Sequence, residues 1–462
     1  MAVTELIAAH TLAESIAELR AMAARPVATA DELVKLLVGI YQALLSTDLT
    51  AQDPAATKPQ VPQLRVDLFA LRLALRGRIA GWHQAGLMNH DAQQRLRDCL
   101  RAARFASDML GELGAGFAQL PHGETTLKAF TGDTNSLVNP AYDTDAKAAY
   151  RSGDVLVVRG MAHNSAAIAR IGDVDSQFSH VCIIHIDARG TQWVVESLIE
   201  DGAVINRLGH TLAHGNGRAM LFRHPDDVLA AKASQIAYDH VRRSRSTFKR
   251  PILYDFTMRL DRRRELFCSK LVWLAYSRAS KGQLQLPLFK TRFNLRNRDF
   301  IDRIGVQASE TFAPGDIEID PRFDLVAEWQ DFRVTSRLRA QDLIMVKLFE
   351  WMEMHGYTFR QSSAIRLISW FGRLSAHLSE DVKSMLASVV PKVPINMKRK
   401  TIAAVAMLHK TAEPILTEIL AKEAEQIART GRPLHPRQVY ETLEFIRQRA
   451  DGKIGYLVAP GA

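Results

Sequence analysis

The chain has 462 residues, is 47% hydrophobic and 24% charged, and carries a formal net charge of +10. That composition excludes a disordered or fibrous chain and suits a soluble globular protein of roughly three domains. Three cysteines, Cys99, Cys182 and Cys268, exclude a disulfide framework and offer no zinc spacing, so a reducing compartment is the simplest setting.

The first stretch, MAVTELIAAHTLAESIAELR, lacks a basic n-region and a continuous apolar h-region. It reads as an amphipathic helix, not a signal peptide. No apolar run is long enough to span a bilayer. The expected location is cytoplasmic, with export open only to a signal-peptide-independent route. The positive charge suits an anionic substrate or peripheral contact with an anionic membrane. Nucleic acid is not an expected partner, because no RNA- or DNA-binding motif accompanies the charge.

Residues 1–145 are predicted to be a helical N-terminal region. Leu12, Ile16, Leu19 and Met22 keep helical spacing, as do Leu33, Leu36, Leu37 and Ile40. A looser stretch, AQDPAATKPQVPQ, precedes a long helix with Leu68, Leu71, Leu75 and Ile79. The turn formers of FTGDTNSLVNPAYDTD mark a boundary.

From about residue 150 the period changes. GDVLVVRG, SHVCIIHID, QWVVESLI, GAVINRL and RAMLFRH are short, β-branched and divided by turn residues, which predicts a meander of five strands. DDVLAAKASQIAYDHVRRS then predicts a helix capped by Asp226 or Asp227. After KRPILYDF comes a second helix, carrying Cys268. From about 334 onward helical periodicity returns with an excess of Lys and Arg, and no internal repeat is visible.

The chemistry lies in the middle region. Leu271, Val272, Ala275 and Tyr276 mark one helix face and leave Cys268 in the first turn. The unpaired N–H groups and partial positive charge there favour thiolate over thiol and can hold an oxyanion. A lone cysteine is otherwise an ordinary small buried residue. A nucleophilic cysteine needs a base, and His180 at the start of SHVCIIHID is the candidate. Alternation puts His180, Cys182 and Ile184 on one strand face and Val181, Ile183 and His185 on the other. A base needs an orienter, and Glu196 in the next strand is a carboxylate that a half-buried position disfavours unless it is paired.

His180 in FSHV, Glu196 in VVES and Cys268 in FCSKLV, in that order, resemble the circularly permuted branch of the NlpC-type papain-like cysteine hydrolases. That branch includes YiiX-like bacterial hydrolases and the lecithin–retinol acyltransferase group. GDVLVVRG, GAVI, YDF and PGDIEIDPRFDLVAEW resemble further elements of its pattern, over roughly residues 150–333. Lys270 departs from it, since relatives often carry an acidic residue there.

The resemblance implies an α+β fold: a permuted papain-like catalytic domain over 146–333, its antiparallel sheet packed on the cysteine helix. All-helical regions would flank it at 1–145 and 334–462. It implies Cys268 as nucleophile, His180 as general base and then acid, and Glu196 as orienting residue. Tyr254 and Ser269 are the expected substrate contacts. The implied reaction is acyl transfer through a thioester, with no cofactor and no metal. The His210/His214 pair has ligand-like spacing but falls at a turn without a third ligand.

The implied substrate is an acyl or peptide compound. An amide bond, as in peptides or peptidoglycan stems, is preferred over a membrane lipid ester. A non-catalytic interaction protein is the third alternative. Arg242, Arg243, Arg245, Lys249, Arg250, Arg262, Arg263 and Arg264 flank the site elements and could attract an anionic group, or simply form a solvated surface. SAIRLISWFGRLSAHL lines up Leu367, Trp370, Phe371, Leu374 and Leu378 as an interfacial or core helix, with Arg366 and Arg373 elsewhere. Lys398, Arg399 and Lys400 in NMKRKT would suit an anionic bilayer or open a helix.

Overall fold

The computed structural model describes residues 11–47, 52–116, 135–144 and 149–461, except 171, 174, 214, 262, 263, 294, 364, 367, 368 and 371–393. Most of the SAIRLISWFGRLSAHL segment, along with Arg262, Arg263 and His214, therefore lies outside the described residues.

The described residues of the N-terminal region are mainly helical. α1 (Leu12–Ala23) opens with a capping box in which Thr11 and Glu14 satisfy each other's backbone N–H. α2 (Ala30–Ser46) is capped by Thr29. The stretch expected to be loose is partly helical, with one turn at Pro54–Thr57 before α3 (Val61–Gln84). Its prolines sit in first-turn positions, where a missing N–H costs nothing. α4 (His90–Gly114) follows, capped by Asn89. The apolar stripe Leu71, Leu75, Ile79 packs with Leu33, Leu37 and Ile40 as the spacing requires.

The central sheet has seven antiparallel strands: β1 (Ser136–Val138), β2 (Val155–Gly160), β3 (His180–Ile186), β4 (Gln192–Leu198), β5 (Gly202–Arg207), β6 (Asn216–Arg223) and β7 (Asp324–Gln330). Their order is β1-β7-β6-β2-β3-β4-β5. The predicted five-strand meander is thus corrected: four strands run in sequence, and the fifth, RAMLFRH, returns to pair with the first, with Leu156 opposite Leu221. A short helix, α5 (His163–Arg170), fills the connection after β2, and another, α6 (Leu208–Ala213), the one after β5. β1 arises inside the region expected to be helical, where Leu137 pairs opposite Glu328.

α7 (Asp227–Arg242) starts where Asp226 accepts the Leu229 N–H at 2.9 Å. α8 (Cys268–Ala279) packs with α7 on the sheet face that presents Val181, Ile183 and Val195. Cys182, Ile184 and Val194 point to the other face, with Leu208 and Leu212 of α6. The long connection from α8 to β7 contains a short helix, α9 (Asp299–Ile304). This is the expected α+β arrangement, with an antiparallel sheet packed on the cysteine helix.

The C-terminal region supplies α10 (Thr335–His355), α11 (Arg399–Thr430) and α12 (Pro436–Arg449). It is not purely helical. Thr358–Phe359, Lys453–Ile454 and Leu457–Val458 form a small sheet of two-residue strands, the last two joined at a turn that uses Gly455 at positive φ. Residues of α10, α11 and α12 share one apolar core with Ala166 and Ala167 of α5.

Buried ion pairs fasten the N-terminal flank to the central region and the two flanks to each other. Arg72 of α3 reaches Glu328 of β7, and Arg104 of α4 reaches Glu318. Arg218 of β6 pairs with Asp108 of α4. Arg339 of α10 pairs with Glu112 of α4 at 2.7 Å. Among the described residues no helix is long and apolar enough to cross a membrane.

Candidate active site

α8 begins at Cys268 itself, after Phe267 in extended backbone. The cysteine N–H therefore belongs to the first turn, where helical N–H groups have no intrahelical acceptor. Cys268 is 4% exposed. Its Sγ lies 3.8 Å from the Ser269 hydroxyl. Burial pushes the thiol pKa up. The hydrogen bond and charge of His180 outweigh that, with help from the Val181 N–H and Ser269, and hold it below the ordinary value.

His180 is the first residue of β3, so its ring stands at the end of the sheet, not over its middle. Its Nε2 lies 2.8 Å from Glu196 Oε2. The ring also interacts with the Cys268 thiol. Burial pulls the imidazole down, but Cys268 and Glu196 together lift it to about 10. The two groups thus shift each other toward thiolate beside imidazolium, relative to a free thiol and a free imidazole.

Glu196 is 3% exposed in β4. Its Oε1 accepts from Asn206 Nδ2 at 2.8 Å and Thr211 Oγ1 at 3.1 Å. Burial raises its pKa, but His180, Asn206 and Thr211 lower it more, and the carboxylate stays ionised. Asn206 and Thr211 were not anticipated. Asn206 had a signal: Glu196 sits opposite Val204 in the β4–β5 pair, and Asn206, two residues on, shares that face. Thr211 had none, because α6 folds back only in the tertiary structure.

The residues expected in the site converge. Tyr254 and Ser269 both line the same cavity as Cys268, which measures about 500 Å3. Tyr254 is buried, and its ring meets Phe256 edge-on at 5.2 Å between centroids. Burial first, and then the negative charge of Cys268, raise its pKa, which keeps the phenol neutral. The Tyr254 segment is held to the sheet end at Gly202. Ala203 N–H donates to Ile252 O at 2.8 Å, and a Cβ on Gly202 would lie 2.0 Å from that carbonyl.

Lys270 is fully buried and donates to Asp255 Oδ2 at 2.5 Å. The departure from the expected acidic residue therefore sits inside the helix packing and not on the cavity lining. The flanking basic residues Arg242, Arg243, Arg245, Lys249, Arg250 and Arg264 are exposed.

Residues 397–410, far outside the predicted catalytic region, form one wall of the cavity. Asn396 Nδ2 donates to the Tyr254 carbonyl at 2.7 Å and ties that wall to the site.

Two clusters among the described residues bring three metal-type donors within 4.8 Å: His180, Cys182 and Glu196, and His163, His409 and Glu413. In the first, His180 and Glu196 already satisfy each other. In the second, Glu413 is engaged by His163 Nε2 at 2.6 Å and by Arg337 at 3.2 Å.

No curated protein and no solved structure matches the chain. With its histidine strand ahead of its cysteine helix, the chain matches over residues 149–326 the family described as permuted papain-like amidase enzyme, YaeF/YiiX, C92 family.

Proposed function

We propose that the chain is a cysteine hydrolase that cleaves an amide bond through Cys268, His180 and Glu196. The observation that carries this reading is the His180–Glu196 contact at 2.8 Å beside a thiol whose pKa His180 lowers. The family match to amidases supports the amide.

In this reading the Cys268 thiolate attacks the amide carbonyl carbon and forms a C–S bond. The Cys268 N–H stabilises the oxyanion. Collapse breaks the C–N bond, and His180 gives its proton to the departing amine. Water then attacks the thioester while His180 takes its proton. The carboxylic acid leaves, and thiolate and imidazolium are restored. Glu196 holds the ring and its charge, as the third member of such a triad does. Tyr254 and Ser269 border the bound acyl group.

A second reading, cleavage or transfer of a lipid acyl ester by the same thioester route, is favoured by the apolar lining of the cavity. One experiment tests both. The purified protein is mixed with amide substrates, including peptidoglycan fragments, and separately with bacterial lipid, beside Cys268→Ala, and products are read by mass spectrometry. Amine release that vanishes in the variant supports the amidase. Free fatty acid or lysolipid that vanishes supports the ester reading. Activity that survives in Cys268→Ala sinks the cysteine mechanism.

A further inference from the structure

We infer that the acyl side of the substrate is a medium-to-long aliphatic chain, held in the cavity beside Cys268 and measured by the C-terminal helix α11. This deepens the proposed hydrolase and rests on Cys268 as its nucleophile.

The cavity of about 500 Å3 falls in the range of small-molecule sites, roughly 300–1,000 Å3. Its polarity changes with depth. Glu200, His409 and Lys410 line it and are exposed, so they stand at the mouth. Phe312, Met397 and Leu408 line it and are at most 8% exposed, so the interior is mainly apolar, with His163, Ser269, Thr311 and Thr401 as its buried polar residues. Cys268 lines the same cavity. A peptide or sugar acyl group has more hydrogen-bonding groups than these few polar side chains can pair, and would leave the rest against apolar surface. An aliphatic chain has none to lose.

The wall formed by Met397, Ile402, Val405 and Ala406 lies beyond residues 149–326. Chain-length preference is therefore a property that the C-terminal region adds to the catalytic domain. An N-acyl amide and a membrane lipid ester both present such a chain, and the test separates them.

The full-length protein is assayed with a series of N-acyl 4-nitroanilides from acetyl to lauroyl, and with phosphatidylglycerol vesicles. kcat/KM for the anilides should rise by up to about fourfold per added methylene until the cavity is full, then level off. Ala406→Phe and Val405→Trp, at half-buried wall positions, should each lower the lauroyl-to-butyryl ratio of kcat/KM at least tenfold, with thermal melts confirming the fold. Faster turnover of vesicles than of any anilide would assign the chain to a lipid ester.

Binding is read independently with dansyl-undecanoic acid and Cys268→Ala. Probe binding that the two wall variants weaken supports the acyl site even if no substrate turns over, in which case the hydrolase reading alone fails. Turnover that is indifferent to chain length, or absence of probe binding in a folded protein, overturns the inference and leaves the hydrolase standing.

Discussion

Lys270 Nζ donates to Asp255 Oδ2 at 2.5 Å, and both side chains are buried, at 0% and 1% exposure. The pair joins the first turn of the cysteine helix to the segment that carries Tyr254. Asp255 Oδ1 also accepts from the Thr257 N–H at 2.9 Å and from the Thr257 hydroxyl, so the carboxylate is fully engaged.

Lys270→Met should therefore be costly, because it leaves that carboxylate buried without its cation. We expect a loss of about 3–5 kcal/mol. Lys270→Met with Asp255→Asn should recover part of it, since no unpaired charge then remains. Urea unfolding of the three proteins measures both, and equal loss in the single and double variants would show that the pair is not coupled.

The three cysteines should differ sharply in reactivity. Burial raises the pKa of Cys99 and of Cys182, whereas His180 lowers that of Cys268. Iodoacetamide at neutral pH should thus give one adduct, at Cys268, by peptide mass spectrometry. His180→Ala should slow that labelling at about pH 6 by at least tenfold, because it removes the cation that stabilises the thiolate. Rapid labelling at Cys182 would contradict the assignment.

The pH dependence follows from the same pair. The His180 pKa is raised, so its contribution is complete below the ordinary imidazole value of about 6.5 and is lost as pH rises through about 10. The Cys268 pKa is lowered, so its contribution is present above the ordinary thiol value of about 8.5 and is lost as pH falls through the lowered one. The ion pair occupies the window between the two folded values, and kcat/KM should be bell-shaped across it. Glu196→Gln removes a charge that lifts His180, so the alkaline limb should move to lower pH. The rate should drop roughly 10²- to 10⁴-fold. An unmoved alkaline limb would exclude Glu196 as the partner that sets it.

Arg339 joins α4 to the C-terminal helices, meeting Glu112 at 2.7 Å and Glu423 at 3.4 Å. Burial raises the Glu112 pKa to about 7, against the pull of Arg339. A carboxyl whose folded pKa is raised favours the native state below its unfolded value and loses that contribution as pH rises through about 7. Glu112→Gln should flatten the wild-type decline in stability over that interval. Urea midpoints at about pH 5 and pH 7.5 test it, and parallel declines in the two proteins would assign the slope to other carboxyls.

Much of the candidate site was legible because its signals are local. Period-two alternation of β-branched residues placed His180 and Glu196 on neighbouring strands, and the apolar spacing after Cys268 placed it in a helical first turn. Each depends on residues two to four positions apart, which the backbone geometry of a strand or helix fixes. The order of histidine, glutamate and cysteine along the chain carried the resemblance to the permuted family, and the match over residues 149–326 agrees with it.

Only the tertiary structure decided how distant elements meet. The return of β6 to β2 depends on which strand edge is left open once β3, β4 and β5 have paired, and strand composition is silent on that choice. Arg72, Arg104 and Arg218 look like solvent-facing cations in sequence, yet they are buried against Glu328, Glu318 and Asp108, partners more than a hundred positions away. Nor could periodicity show that α11 walls the cavity beside Cys268, because an apolar helix face records that something covers it without recording what. Local backbone preference is written into neighbouring residues, whereas burial of a charge or an apolar face depends on packing across the whole chain.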